Sequence, residues 1–285
     1  MISDLQIERW LREDLGHHDV TNDVPGETAG RLVAKEPGTV AGLEAAVSVF
    51  EHLGVDVLES LEDGTEVDVG DVVLRVEGPA RDVLRGERVA VNLAGHASGI
   101  ATRTARAVVA ARQGGESGHT QIAATRKTTP GLRGLEKRAV VAGGGDTHRL
   151  DLSHMVMVKD NHVAEMGLEA AVSHFRERVS FATKIEVEVE SPAQAVRAAE
   201  AGAEVVLLDN MDPETVEEAL AALEDGGFRS GRSDSTDTDR VLTEASGGIT
   251  LESVPAYAAT GVDVISMGSL THSAPSLDLS FRTGR

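Results

Sequence analysis

The chain has 285 residues, of which 41% are hydrophobic, so it can bury one large core or two modest domains. Its formal net charge of −20 argues against a nucleic-acid or anionic-membrane partner, which would require a basic face. The absence of cysteine excludes disulfides and thiolate chemistry.

The charged residues have an unusual composition. The chain has 47 Asp and Glu but only five Lys beside 22 Arg, and its apolar residues are small rather than aromatic. A dense acidic surface keeps a protein soluble where counterions screen its self-repulsion, so we expect a halophilic protein. The alternative is an ordinary acidic protein. No secretory leader and no apolar run of membrane-span length are visible, which predicts a cytoplasmic location.

The first 80 residues mix helix and strand signals. A helix is predicted from Ser3-Asp4 to Gly16, and a second over 43–53. Residues 30–41 read as strand, turn and strand, and residues 64–78 as two short strands around Gly70-Asp71. His17-His18-Asp19 resembles a metal-ligand set, but an exposed turn is the favoured interpretation because adjacent His side chains diverge.

A long helical pattern covers Val83 to Arg112. Gly95 and Gly99 lie inside it, and they indicate either close helix packing or a break between two helices. The pattern changes after this helix to an alternation of strands and helices, so we place a domain boundary near its end. We expect residues 1–108 to form an N-terminal α/β domain, to which a strand at about 274–285 returns, and residues 109–273 to form a second domain.

Strand-length apolar runs alternate with helical patterns in the second domain. Such alternation predicts parallel strands with right-handed crossovers. We favour a closed or nearly closed barrel over an open sheet, because polar residues follow every strand, and we expect 225–239 to be a surface loop. The predicted strands are 120–125, 155–158, 184–189, 205–208, 241–245 and 262–267, and the helices between them are 163–178, 191–201, 213–223 and 250–260.

Charged and small residues gather where these strands end, which is where a parallel barrel places its ligand site. The cations suit carboxylates and phosphates, the acids suit Mg²⁺, and the glycines leave backbone N–H groups open to phosphate. Together they suggest a phosphorylated sugar and an anionic co-substrate. The residues are Arg126, Lys127, Lys159, Asp160, Glu186 or Glu188, Asp209, Asn210, Ser246, Gly247, Gly248, Gly268 and Ser269.

One segment is basic in this acidic chain. Residues 126–149 carry six Arg or Lys against Glu136 and Asp146. Three consecutive glycines, 143–145, precede His148-Arg149, and such a backbone presents these two side chains to a neighbouring group. The alternative is a flexible helix end. We expect the segment to bind a polyanionic small substrate.

The ordered motifs of the chain resemble the quinolinate phosphoribosyltransferase family, the carboxylating nicotinate-nucleotide pyrophosphorylases. The similarity runs collinearly from residue 11 to the C-terminus, except for 225–239. The motifs include Glu87-Arg88-Val-Ala-Val-Asn92, Thr125-Arg-Lys-Thr-Thr-Pro-Gly-Leu-Arg133, His148-Arg149, Val158-Lys-Asp-Asn-His162, Ile185-Glu-Val-Glu-Val189, Leu208-Asp-Asn-Met211, Glu244-Ala-Ser-Gly-Gly-Ile249 and Ser266-Met-Gly-Ser-Leu-Thr-His272.

The resemblance implies an α/β fold in which an N-terminal α+β sandwich domain precedes an incomplete, six- or seven-stranded α/β barrel. It implies transfer of a phosphoribosyl group from phosphoribosyl pyrophosphate (PRPP) to quinolinate with decarboxylation, giving nicotinate mononucleotide, pyrophosphate and CO₂ for NAD biosynthesis. Mg²⁺ is the implied cofactor. A homodimer is implied too, in which one subunit closes the site of the other.

Matched by motif, the resemblance also assigns roles to residues. Quinolinate would be held by Arg126, His148, Arg149 and Lys159, with Arg88 reaching in from the partner subunit. The catalytic residues would be Lys127 on the pyrophosphate side, and Glu188 and Asp209 at the ribose and the metal. The PRPP phosphate would lie on Ser246, Gly247, Gly248 and Gly268.

The chain departs from the family pattern at two places. Ala124 stands where Asp is usual, and Thr147 where Asn is usual, which puts the orientation of the neighbouring loops in doubt. A related phosphoribosyltransferase of molybdate operons is one alternative, although Lys159-Asp160-Asn161-His162 favours the quinolinate enzyme. A Schiff-base lyase using Lys159 and a non-catalytic anion-binding protein are two others.

Overall fold

The computed structural model describes residues 2–115, 119–229 and 240–284, so most of the predicted 225–239 loop lies outside the described residues. The chain divides into two compact units. The first comprises Met1–Ala105, Thr128–Gly144 and Leu270–Arg285, and the second comprises Arg106–Lys127 and Gly145–Ser269. Among the described helices, none combines the length and apolar character needed to cross a membrane.

Helices and strands follow the predicted order closely. The element bounds in chain order are α1 Asp4–Leu15, β1 Glu27–Ala34, β2 Gly38–Thr39, α2 Leu43–His52, β3 Asp56–Ser60, β4 Glu66–Val67, β5 Val72–Pro79, α3 Ala80–Gly114, β6 Gln121–Ala123, α4 Arg133–Ala142, β7 Val156–Val158, α5 Asp160–Met166, α6 Leu168–Arg176, β8 Ile185–Val189, α7 Pro192–Glu200, β9 Val205–Asp209, α8 Pro213–Asp225, β10 Leu242–Ser246, α9 Val254–Ala259, β11 Val264–Ser266, α10 Ser269–His272 and β12 Leu279–Thr283.

The first unit is built on an antiparallel sheet of strand order β12-β1-β5-β3. Leu32 of β1 lies opposite Leu74 of β5 and Phe281 of β12, so one face of three strands is apolar. Helix α2 covers that face: Phe50 is fully buried and stacks on Phe281 at a ring-centroid distance of 5.6 Å. This aromatic contact ties the last strand of the chain to an early helix.

Helix α3 is continuous from Ala80 to Gly114, so Gly95 and Gly99 do not mark a break. Gly99 allows close packing instead. A Cβ atom placed on Gly99 would lie 1.9 Å from the Pro275 carbonyl oxygen, and one on Gly95 would lie 3.1 Å from that of Leu277. The C-terminal segment therefore runs directly against the backbone of α3, where a side chain would not fit.

The second unit contains a six-stranded parallel sheet of order β6-β11-β10-β9-β8-β7. The first two strands in sequence, β6 and β7, are the two edges, so the barrel is incomplete and open between them. Asp146 partly fills the opening, because it forms a parallel bridge with Ala123 of β6. The predicted class, an α+β unit with an incomplete α/β barrel, is confirmed.

The compact units differ from the domains predicted from sequence. Residues Thr128–Gly144, which the sequence assigned to the barrel domain, belong to the first unit. The reason is that Leu135, Glu136 and Lys137 of α4 are buried there. The predicted helix over 163–178 is in fact two helices, α5 and α6, separated by Gly167 at a φ of 77°.

Replacing Gly99 tests the close packing of α3. We expect Gly99→Ala to lower the free energy of unfolding by about 2 kcal/mol, because the Pro275–Ser276 backbone must move aside. Gly134→Ala is the matched control: its Cβ atom would meet only an Arg138 guanidinium atom at 3.9 Å. Chemical denaturation measures both variants, and equal effects of the two substitutions would contradict the packing argument.

Candidate active site at the carboxyl ends of the parallel strands

The predicted site residues, apart from Arg88, all belong to the second unit. Glu188 of β8 and Glu244 of β10 both lie in register with Leu207 of β9, and in-register residues of parallel strands face the same side. Glu186, two residues before Glu188, shares that side. Three carboxylates thus lie on one face of the sheet. The neighbours of Glu186 and Glu188 in β8 are apolar, and Glu244 lies between Thr243 and Ala245.

His148 is held by an unusual backbone. Asp146 extends the sheet at the edge of β6, accepting a hydrogen bond from the Ala124 N–H at 3.0 Å and donating to the Ile122 carbonyl at 2.8 Å. Its side-chain Oδ1 then accepts from the His148 N–H at 2.5 Å. His148 has a φ of 51°, in the left-handed region that costs a residue with a Cβ atom about 1 kcal/mol.

One nitrogen of the His148 ring, Nε2, faces two buried carboxylates. This nitrogen is 2.9 Å from Oε2 of Glu244 and 3.6 Å from Oε1 of Glu186. Burial alone would lower the pKa of His148, but the two carboxylates outweigh it and raise this pKa to about 10. Burial, together with the charge of Glu244, raises the pKa of Glu186 to about 7.

Arg149 is the next cation and is only 8% exposed. Its Nη2 contacts Sδ of Met157 on β7 at 3.4 Å. Burial and the nearby charge of Arg126 lower the pKa of Arg149, while the charge of Glu186 opposes this. Two neighbouring guanidinium groups in a poorly solvated place form a site suited to an anion.

Lys159 and two further carboxylates form the next group along the sheet. The ammonium of Lys159 is ion-paired with the carboxylate of Glu188. Asp209 follows at the end of β9 and accepts a hydrogen bond from the Asn210 amide at 2.6 Å. Burial, with the charge of Glu188, raises the pKa of Asp209. Two close carboxylates of this kind are suited to a divalent cation.

The loop after β10 approaches the backbone after β9. The Asn210 N–H donates to the Ser246 carbonyl at 2.8 Å, and Asn210 itself has a φ of 55°. A Cβ atom on Gly247 would lie 2.8 Å from the Asn210 backbone nitrogen, so only glycine fits there. Gly248 has a φ of 62° and open space beside it. Gly268 follows the neighbouring strand, β11.

Two family models together match most of the chain. "Quinolinate phosphoribosyl transferase, N-terminal domain" matches residues 19–98, and "Quinolinate phosphoribosyl transferase, C-terminal domain" matches residues 100–282. The chain belongs to the quinolinate phosphoribosyltransferase family.

Relatives of this family are similar over nearly the whole chain. A probable nicotinate-nucleotide pyrophosphorylase [carboxylating] of Methanothermobacter thermautotrophicus is 47% identical, covering 96% of each chain. The human nicotinate-nucleotide pyrophosphorylase [carboxylating] is 44% identical, covering 97% of this chain and 90% of its own. The crystal structure of NadC from Streptococcus pyogenes has a TM-score of 0.86 at 37% identity, covering 99% of this chain and 97% of that one.

The two positions at which we expected a departure from the family pattern, Ala124 and Thr147, both lie beside the cations. Ala124 is fully buried, and its N–H donates to the Asp146 carbonyl. Thr147 is half-buried, and its hydroxyl donates to the carbonyl of His148 at 3.2 Å. The backbone of the His148 loop is therefore held by main-chain bonds and by Asp146.

The basic segment 126–149 is divided between the units. Arg133, Lys137 and Arg138 lie on α4 in the first unit, and Arg126, Lys127, His148 and Arg149 lie in the second. In the first unit, Glu136 is fully buried, accepting from the Thr129 N–H at 3.1 Å and contacting Nε2 of His96 at 2.9 Å. It thereby fixes the chain two residues after Lys127. Arg88 is exposed on α3 in the same unit.

The sequence did not reveal the contacts of two carboxylates, Glu244 and Asp19. Glu244 appeared only within a motif, although an acid inside a buried strand, in register with Glu188, was a detectable signal. Asp19 was assigned to an exposed turn, and the structure shows it bonded to Arg85 at 2.8 Å and accepting from the N–H groups of Thr21 and Asn22. Arg85, with these N–H donors, lowers the pKa of Asp19.

The raised pKa of the buried Glu186 carboxyl predicts that the stability of the protein depends on pH. The folded chain binds the Glu186 proton more tightly than the unfolded chain, so its contribution is present below pH 4.5 and is lost as the pH rises through 7. Relative to wild type, Glu186→Gln should therefore gain stability between pH 4.5 and 7. One proton limits the slope to about 1.4 kcal/mol per pH unit.

Chemical denaturation at several pH values measures this difference. Glu169→Gln is the control. Arg197 lowers the pKa of Glu169, so the contribution of Glu169 to stability changes only at pH values below 4.5. A stability difference between Glu186→Gln and wild type that does not change from pH 4.5 to 7 would refute the role of burial at this carboxylate.

Proposed function

We propose that this protein transfers the phosphoribosyl group of PRPP to quinolinate and releases pyrophosphate and CO₂, forming nicotinate mononucleotide. The observation that carries the proposal is the grouping in one unit of His148, Arg149 and Arg126 with the Lys159, Glu188 and Asp209 group. Family membership supports the same reaction, since curated relatives are named carboxylating nicotinate-nucleotide pyrophosphorylases.

The dicarboxylate would bind to the cations. Quinolinate carries two adjacent carboxylates on a pyridine ring, and it needs both held to present the ring nitrogen to the sugar. Arg126, Arg149 and Lys159 supply positive charge, and His148 contributes an imidazolium. Bidentate guanidinium contacts fix orientation as well as charge. We propose Arg88 of the partner subunit as a further contact in a homodimer.

PRPP would occupy the acidic and glycine-rich side. Glu188 and Asp209 would bind the ribose hydroxyls, and the backbone at Ser246-Gly247-Gly248 and Gly268 would bind the 5′-phosphate. The same two carboxylates fit Mg²⁺, which in such sites is held by few protein oxygens and by substrate phosphates or water. Bound Mg²⁺ would neutralise the pyrophosphate oxygens.

The reaction separates charge, and the proposed roles assign a residue of opposite charge to each group that becomes charged. As the bond from ribose C1 to pyrophosphate breaks, Lys127 stabilises the leaving oxygens, and Glu188 and Asp209 stabilise the positive sugar ring. The pyridine nitrogen, held by the cations, then bonds to C1. When the carboxylate beside the new pyridinium nitrogen leaves as CO₂, its electron pair stays on the ring carbon as an ylide that the adjacent positive nitrogen stabilises. This carbon then takes a proton from water, so no separate base is required.

The pairing of Lys159 disfavours the lyase alternative. A Schiff-base lysine must lose its proton, and the carboxylate of Glu188 stabilises the charged ammonium instead. Trapping of a keto substrate on Lys159 by borohydride would support the lyase and count against phosphoribosyl transfer.

The proposed setting of the enzyme is a salt-rich cytoplasm. The support is compositional: a net charge of −20, 22 Arg beside five Lys and no cysteine. An acidic surface of this density depends on counterions for screening.

Turnover of quinolinate is the first test. With PRPP and Mg²⁺, we expect loss of quinolinate absorbance and release of one CO₂ for each quinolinate consumed, with higher activity in molar salt than in dilute buffer. Nicotinate should be a poor substrate, because it lacks the second carboxylate that the cations would bind. Turnover of nicotinate with no turnover of quinolinate would contradict the proposal.

A shared site predicts rescue between subunits. Arg88→Ala and Lys159→Ala should each be nearly inactive alone, because each removes a cation from every site. Mixed and refolded together, they should regain about a quarter of wild-type activity, since half of the dimers are mixed and each contains one intact site. Mixing Lys159→Ala with Lys127→Ala is the control and should give no recovery. Equal results from both mixtures would argue against a contribution of Arg88 in trans.

A further inference from the structure

Two buried acids have no role in the proposed reaction. Glu186 is 0% exposed and Glu244 is 2% exposed, on the inner face of the parallel sheet. Within the described part of the chain, neither oxygen of Glu186 and only Oε2 of Glu244 has a hydrogen-bond partner. Burying carboxylates with so few hydrogen bonds lowers the stability of the folded protein, and an apolar residue at the same position would lower it less. Their retention at these positions requires a reason.

The contacts of the two acids point to the cations. Glu244 Oε2 bonds Nε2 of His148 at 2.9 Å, and Glu186 Oε1 lies 3.6 Å from the same nitrogen. The negative charge of Glu186 also acts on Arg149, the next residue in the chain. Both acids therefore act on the dipeptide His148-Arg149.

The ring of His148 is fixed from two directions. Asp146 holds its backbone in the left-handed region, and Glu244 holds its ring from the opposite end of the side chain. A neutral or charged imidazole has one polar atom at each side of the ring. Because Glu244 occupies Nε2, the atom left to meet a ligand is Nδ1, which can donate to a carboxylate.

We propose that Glu244, assisted by Glu186, is a positioning residue that holds the His148 ring so that its Nδ1–H meets a carboxylate of the substrate. This inference rests on the proposed function, since it assumes that a pyridine dicarboxylate binds at His148. Glu244 itself touches no substrate. It acts through His148, and removing its charge should weaken dicarboxylate binding while leaving the PRPP side intact.

The test is a double-mutant cycle on steady-state kinetics. The variants are Glu244→Gln, His148→Asn and the double variant. Gln is nearly isosteric with Glu, and Asn tolerates the left-handed backbone at 148. Glu169→Gln, an exposed acid of the same unit paired with Arg197, is the control and should behave as wild type. KM for quinolinate and KM for PRPP are measured separately.

We expect Glu244→Gln to raise the KM for quinolinate about tenfold and to leave the KM for PRPP within about twofold of wild type. The double variant should be no worse than His148→Asn, because Glu244 acts through the ring. Multiplied effects in the double variant, or equal increases in both KM values, would overturn the proposal, since either pattern indicates a structural role alone.

Nuclear magnetic resonance of the histidine ring nitrogens in the wild-type protein provides a readout that is independent of activity. In the wild-type protein at neutral pH, we expect the His148 signals, assigned by their loss in His148→Asn, to show both Nε2 and Nδ1 protonated. An unprotonated Nε2 would overturn the proposal. If the wild type does not consume quinolinate although both nitrogens are protonated, the proposed function fails while the contact between Glu244 and His148 stands.

Discussion

Negative charge buried inside a parallel sheet is the constraint on which the second unit depends. Glu186 and Glu244 are almost fully buried on the inner face of the sheet, and water cannot solvate them there. His148 and Arg149 supply the nearest opposite charge. To reach it, the chain after α4 returns along the edge of β6 through Asp146 and places His148 in a left-handed backbone conformation. The strain in this loop is offset by the ion pairs that it allows.

A second consequence concerns ligand binding. The cations on this face are not isolated: Lys159 pairs with Glu188, and His148 pairs with Glu244. An anionic substrate at Lys159 would therefore replace the carboxylate of Glu188, whereas at His148 it would meet Nδ1 while Glu244 keeps Nε2. Such exchange limits affinity, but it keeps the groups ordered before the ligand arrives, and preordered groups lose less entropy on binding.

The sequence alone predicted the parallel strands well, because nearly unbroken apolar runs ended by polar residues leave few alternatives. Because side chains alternate along a strand, the sequence also implies that Glu186 and Glu188 share a face. It could not predict which acid would be buried, since that depends on register between β8, β9 and β10, and Glu244 was overlooked for this reason. The placement of 128–144 in the first unit was equally hidden, because it depends on the buried side chains of α4 and on Glu136 with His96. Gly167 divides a pattern whose helical periodicity continues across it.

The pairing of β12 with β1 affects how the chain is made as well as how it is held. Strand β1 ends at Ala34, but its outer neighbour begins only at Leu279, so almost the whole chain is synthesised between the two. Until then, β1 is an edge strand with unpaired backbone groups, and Phe50 lacks its stacking contact with the ring of Phe281. The second unit needs no residue after Ser269, so its sheet can form before that of the first unit is complete. The N-terminal unit of this chain is thus the last to close.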